Sequence, residues 1–70
     1  MTGVPNTQAK LRELLAKLFE YRHELEAAEV CGDRITAQTV RRLIRTQHGI
    51  IRNHCRAMGM PLPPEVPKVD

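Results

Sequence analysis

Two segments of the chain repeat apolar residues at intervals of three and four, the period of an amphipathic helix. At about 100° per residue each set forms one stripe. The first stripe is Leu11, Leu14, Leu15, Leu18, Leu25 and Ala28, and the second is Ala37, Val40, Ile44, Ile51, Cys55 and Met58. The pattern predicts helices over about residues 7–30 and 36–58. Asn6 or Thr7 would cap the first helix, which leaves residues 1–6 as a flexible N-terminus.

The segment between the stripes, residues 31–35, predicts a short connection. Gly32 can adopt the left-handed conformation that ends a helix, and Thr36 is a residue type that caps the next one. Two helices joined this closely pack antiparallel. The predicted fold class is therefore all-α, with residues 7–59 forming one antiparallel two-helix hairpin.

Gly49 interrupts the second helical segment. A glycine inside a helix costs roughly 1 kcal/mol relative to alanine. On the helical wheel Gly49 lies away from the apolar stripe, and two explanations are open. Either another backbone approaches closely at this position, or the helix breaks and a third short helix follows over residues 50–58.

Residues 60–70 contain four of the five prolines of the chain. Proline disrupts helices and favours polyproline II structure, so this segment predicts a proline-rich, extended C-terminal tail. Pro64 and Pro67 have the P-x-x-P spacing that some aromatic-lined grooves bind. The alternative is a tail that is frayed, or that folds back over the hairpin with Leu62 and Val66.

The apolar stripes are wider than one contact between two helices can bury. Leu15 and Phe19 widen the first stripe, and Leu43 and Ile50 widen the second. A chain of 70 residues also builds only a small core, and small domains often gain stability by oligomerising. We therefore expect a homodimer in which two hairpins form a four-helix bundle. These four residues are the apolar flank that a second copy or another partner would cover.

Charge is unevenly distributed, although the net charge is only +3. Residues 1–33 carry four basic and six acidic groups, whereas residues 34–60 carry six arginines and no acid. At 3.6 residues per turn, four of these arginines form one row beside the second stripe. The row is Arg41, Arg45, Arg52 and Arg56. Planar guanidinium groups in a row suit phosphates or carboxylates.

Part of this charge has an internal explanation. In an antiparallel hairpin the first arginines of the second helix approach the glutamates at the end of the first helix. Such exposed pairs contribute about 0–1 kcal/mol each. At the open end, Arg52 and Arg56 have basic neighbours instead. The predicted partner-binding residues are Arg41, Arg45, Arg52, Arg56, Lys10, Arg12 and Lys17.

The sequence contains no recognisable catalytic motif. The histidines and cysteines lack the spacing of zinc ligands. In a hairpin Cys31 lies roughly 30 Å from Cys55, so the two can share neither a metal nor a disulfide. Cys55 is instead predicted to be a core residue. No nucleophile with its base and no glycine-rich phosphate loop is present. We expect no enzyme, no metal and no cofactor. Two cysteines, no signal peptide and no apolar run of membrane length favour a cytoplasmic protein without a membrane or small-molecule partner.

Two classes of function remain. In the first, the protein is a small regulator or inhibitor, of the kind that phages and mobile elements often encode. It would dock a basic, partly apolar helical surface on a larger protein with an acidic surface. In the second, it binds DNA or RNA through the arginine row, with a helix-turn-helix around Thr36 as one form. The acidic half of the first helix would repel a long duplex, which favours the protein partner.

Overall fold

The computed structural model describes residues 7–68, with side chains from Gln8 onward. Helix α1 spans Thr7–Cys31, helix α2 spans Arg34–Met58, and the two pack against each other. The described residues form no strand. The predicted all-α hairpin is therefore confirmed. Residues 1–6, for which a flexible N-terminus and a cap at Asn6 were predicted, lie outside the described residues. The side chain of Thr7, the other candidate cap, does so as well.

Two residues join the helices, whereas the sequence predicts a connection of five. Gly32 takes a φ of 73°, and the main-chain N–H of Asp33 donates to the Ala28 carbonyl at 2.8 Å, which caps the end of α1. The Asp33 carboxylate then accepts from the N–H of Thr36 at 3.1 Å and caps the start of α2. Because Asp33 serves both helices, α2 begins at Arg34. The prediction that Thr36 is the cap is therefore wrong, because Thr36 donates to the cap residue Asp33.

The centre of the hairpin is a cluster of four buried side chains. They are Leu18, Ile51, Cys55 and Val66. Leu18 and Ile51 are completely buried, one from each predicted stripe. The predicted core position of Cys55 is confirmed, since it is only 2% exposed. Further apolar side chains pack around this cluster while remaining partly exposed, including Leu11, Leu14, Leu15 and Ile44.

Two positions of α2 differ from the predicted stripe. Met58 is 47% exposed, because the chain reverses at Gly59 and Met60 packs against the core cluster instead. Gln47, which the sequence analysis did not place in the stripe, is only 6% exposed. Its side-chain amide donates to the main-chain carbonyl of Leu14 at 2.8 Å, so a polar side chain completes this part of the helix interface.

Helix α2 is continuous through Gly49, which rules out one of the two explanations for this glycine. The helix does not break, so no separate third helix exists over residues 50–58. Among the described residues no backbone approaches either. The nearest atom to a Cβ built at Gly49 is Nη2 of Arg52, at 4.0 Å. The described chain therefore does not form the three-helix arrangement that would have supported a helix-turn-helix.

The tail, residues 60–68 of the described chain, folds back along the hairpin. Val66 is 3% exposed within the core cluster, and Leu62 packs against the same cluster. The N–H of Val66 donates to the Pro63 carbonyl at 3.1 Å, which closes a turn with Pro64 at its second position. The prediction of a tail that is extended throughout is therefore wrong. The observed contacts agree with the alternative, in which Leu62 and Val66 fold back over the hairpin.

Candidate partner-binding surface

The arginines predicted to form one row have different environments. Arg41 donates to the Glu29 carboxylate at 2.9 Å, near the connection between the helices. This contact is one of the internal pairs that the antiparallel hairpin was expected to form. Arg52 is half-buried and donates to the main-chain carbonyl of Pro67 at 3.0 Å. Two members of the row are therefore engaged within the chain.

The remaining arginines of the row are exposed. The side chains of Arg45 and Arg56 form no hydrogen bond or ion pair with a described residue, and the same is true of the Arg42 side chain on the neighbouring side of α2. Helix α2 contains no carboxylate that could neutralise them. These three guanidinium groups remain available to a ligand.

Two arginines from different helices hold the tail in place. Nη2 of Arg22 on α1 donates to the Glu65 carbonyl at 2.7 Å, and Nη1 of Arg52 on α2 donates to the Pro67 carbonyl at 3.0 Å. These two carbonyls flank Val66, which is buried in the core cluster. Arg52 was predicted to bind a partner, whereas Arg22 was not singled out. Its position within the first apolar stripe is the signal that could have indicated a contact across the hairpin.

The basic residues of α1 do not form one surface. Lys10 and Lys17 are seven residues apart and share a side of the helix, whereas Arg12 lies on the opposite side at about 100° per residue. Lys17 also has neighbours of its own. Its Nζ is 3.7 Å from the Glu20 carboxylate and 5.6 Å from the centre of the Tyr21 ring. All three basic residues are exposed.

The predicted apolar flank separates into two surfaces. Leu15 and Phe19 lie on the same side of α1 as Arg22, which the tail contacts, but only Leu15 packs against the core cluster, and Phe19 is left uncovered. Leu43 and Ile50 lie on α2 along the opposite side of the hairpin. Phe19, Leu43 and Ile50 are 47%, 38% and 44% exposed, respectively. One partner helix therefore cannot cover all four residues.

We call the outward surface of α2 the outer face. It consists of Arg42, Leu43, Arg45, Thr46, Ile50, Asn53, Arg56 and Ala57, all exposed. The arginines lie along one edge, the two aliphatic side chains lie along the other, and small uncharged residues separate them. Chemically, one edge can bind carboxylates or phosphates, while the other can bury apolar area.

The described chain does not assemble a metal-binding cluster. No group of three or more histidine, cysteine, aspartate or glutamate side chains converges within residues 7–68. Cys31 is exposed, Cys55 is buried, and both are free thiols. Burial raises the pKa of the Cys55 thiol above its ordinary value of 9.0. Neither described helix is long and apolar enough to cross a membrane.

No protein family, curated protein or solved structure matches this chain. The outer face is therefore the feature that indicates function. Its defining property is the combination of arginines that are not bonded within the described chain with aliphatic side chains that are not buried.

Proposed function

We propose that the protein is a small, non-enzymatic regulator or inhibitor that docks the outer face of α2 on an acidic surface of a larger protein. One observation supports this: Arg42, Arg45 and Arg56 are exposed and unbonded within the described chain, beside the exposed side chains of Leu43 and Ile50. Guanidinium groups bind carboxylates with directional hydrogen bonds. The aliphatic edge can bury apolar area against the partner, so the partner must present apolar side chains there.

The dimensions of the outer face set the size of the partner's contact. Arg42 and Arg56 are fourteen residues apart, which corresponds to about 21 Å along a helix. Leu43 and Ile50 are half that distance apart, on the same side of α2. The partner therefore presents an elongated surface with acidic groups along one edge.

Nucleic acid is the second candidate ligand, because α2 carries six arginines and no acid. The structure weakens this candidate in one respect, since Arg41 and Arg52 are engaged within the chain. A phosphate backbone would also leave Leu43 and Ile50 in contact with water. The protein partner uses both edges of the outer face and is the function that we favour.

Photo-crosslinking in cells that produce the protein tests the proposal. A crosslinking amino acid replaces Leu43 or Ile50 on the outer face. In the control it replaces Glu13, which is exposed on α1. We expect discrete protein adducts from positions 43 and 50 but not from position 13. The adducts should disappear in an Arg42→Glu/Arg56→Glu background. Adducts that nuclease removes and protease leaves intact would identify nucleic acid as the ligand and contradict the protein partner.

A salt series separates the two candidates in vitro. Purified protein is titrated with mixed duplex DNA and with structured RNA between 50 and 200 mM salt, a range over which phosphate contacts weaken by orders of magnitude. We expect weak binding near physiological salt. The matched control is Lys17→Glu/Arg34→Glu, which changes the net charge equally at exposed positions away from the outer face. Tight binding that only Arg42→Glu/Arg56→Glu abolishes would favour the nucleic-acid function.

We also propose that two hairpins pair into a four-helix bundle and that the protein acts in the cytoplasm. The small core and the half-exposed Phe19 support self-association. The exposed thiol of Cys31 suits a reducing compartment, where free cysteines persist. Sedimentation equilibrium measures the first property, and fractionation of producing cells measures the second.

A further inference from the structure

We infer that a second copy of this chain docks on the exposed side of α1 around Phe19, with the two α1 helices antiparallel. This inference rests on the proposed pairing of two hairpins but not on the proposed partner of α2. It specifies which surface forms the dimer, how the two helices are oriented and which charged residues are in contact.

Phe19 is the apolar centre of this surface. It is the only phenylalanine of the chain and is 47% exposed, although its neighbour Leu18 is completely buried. Ala16 and His23, one turn before and after Phe19, are exposed on the same side of α1. The small side chain of Ala16 leaves room for a neighbouring helix to approach. An aromatic ring with this exposure gains free energy when a second surface removes it from water.

The charges around Phe19 are arranged for antiparallel self-association. Arg12 and Glu26 are each seven residues from Phe19, on opposite sides of it in the sequence, so each lies within about 20° of Phe19 around the helix. Both charged residues are exposed, and neither is bonded to a described residue. In an antiparallel pair centred on Phe19, Arg12 of each chain lies opposite Glu26 of the other.

This arrangement produces the same contact twice, as a two-fold axis requires. A parallel pair would instead place Arg12 opposite Arg12 and Glu26 opposite Glu26. The charges therefore select the antiparallel orientation. Because each charged residue has no partner within its own described chain, the second copy satisfies groups that are otherwise only solvated.

The outer face of α2 has the opposite property. It carries Arg42, Arg45 and Arg56, and α2 has no acidic residue. Self-association through this face would place the arginine edges together in an antiparallel pair and against the aliphatic edge in a parallel pair. In neither orientation does α2 supply a carboxylate for the arginines. The charge pattern thus distinguishes the occupants of the two surfaces: α1 suits a second copy, and α2 suits an acidic partner.

Sedimentation equilibrium on the full chain, from micromolar to millimolar concentration, tests the inference. We expect a dimer whose dissociation constant rises roughly tenfold in Arg12→Glu and in Glu26→Arg, since each change replaces two attractive contacts by two repulsive ones. The double variant Arg12→Glu/Glu26→Arg should restore the wild-type constant. In a parallel dimer the single changes would leave the like-charge contacts in place, so they would not weaken it.

Two further variants keep the test specific. Phe19→Glu should produce a monomer with unchanged helical circular dichroism, because the side chain is half-exposed in the hairpin. Glu13→Arg makes the same charge change as Glu26→Arg on another side of α1 and should leave the dimer unaffected. A wild-type monomer at every concentration would overturn the inference. A dimer that resists Phe19→Glu and the charge changes, but dissociates with Ile50→Glu, would overturn it as well.

Discussion

The side-chain amide of Gln47 donates a hydrogen bond of 2.8 Å to the main-chain carbonyl of Leu14 and so links the middle of α2 to the first half of α1. Gln47 is the one buried polar side chain in the described part of the chain. A carbonyl oxygen has two lone pairs, so Leu14 can accept this bond without losing its helical one. The contact is directional, and it therefore fixes the register of the two helices more strictly than apolar packing alone.

Replacing Gln47 tests this contact. Gln47→Ala should lower the free energy of unfolding by about 1–3 kcal/mol, because it removes the hydrogen bond and leaves a cavity. Gln47→Glu should lower it further at pH 7, since a carboxylate cannot donate and would face the Leu14 carbonyl oxygen. Urea denaturation measures both, with Gln38→Ala, an exposed glutamine of α2, as the control. Equal stability of all the variants and wild type would show that the bond does not stabilise the fold.

The tail should contribute to the stability of the hairpin through Val66. Val66→Ala removes buried apolar volume from the core cluster and should cost about 1–3 kcal/mol of unfolding free energy. The matched control is Val30→Ala, because Val30 is 82% exposed and loses no burial. Chemical denaturation compares the two. Similar small effects at both positions would mean that the tail does not pack as described.

The two thiols should differ in reactivity. Cys31 is exposed, whereas Cys55 is buried and has a raised pKa, so less of its thiolate forms at a given pH. Titration of the native protein with a chromogenic disulfide at pH 8 should label Cys31 rapidly and Cys55 only after denaturant is added. Truncation after Gly59 removes the tail residues that pack beside Cys55 and should increase its labelling rate. Rapid native labelling of Cys55 in the full chain would contradict the buried position.

The cap at Asp33 should make stability depend on pH. The Thr36 hydroxyl and then its main-chain N–H donate to the carboxylate and hold the pKa of Asp33 below its ordinary value of 3.8. The stabilisation is therefore complete above pH 3.8 and is lost as the pH falls through the lower folded value. Asp33→Ala should melt a few degrees lower at pH 7, whereas Asp33→Asn should keep most of the cap. Asp33→Asn should also lose this part of the acid dependence, which thermal melts between pH 2 and 7 would detect.

The helices could be predicted because burial in a hairpin follows the period of the helix. Leu18, Ile51 and Cys55 lie in the predicted stripes and in the observed core. The start of α2 could not be predicted in this way. The main-chain N–H of Asp33 caps the end of α1, and its carboxylate caps the start of α2. Only the structure shows that one residue makes both contacts.

The candidate surface was harder to predict than the fold. An arginine row is visible in the sequence, but the contacts of Arg22 and Arg52 are to main-chain carbonyls, which carry no sequence signal. Gln47 was missed because a buried polar side chain is recognised by its partner rather than by its hydrophobicity. The arginines that remain available could be identified only after these internal contacts were known.

Gly49 offers a last test, because the structure gives it no internal reason to be glycine. It lies inside the continuous helix α2, and a Cβ at this position would meet only the flexible end of Arg52, at 4.0 Å. Gly49→Ala should therefore raise the free energy of unfolding by about 0.5–1 kcal/mol. Gly59→Ala is the contrasting control, since Gly59 has a φ of 65° and alanine there should cost about 1–2 kcal/mol. Denaturation of the two variants at low protein concentration measures the hairpin itself. A Gly49→Ala variant destabilised at low concentration would contradict the open surroundings of this position, whereas destabilisation only at high concentration would mean that another copy approaches it.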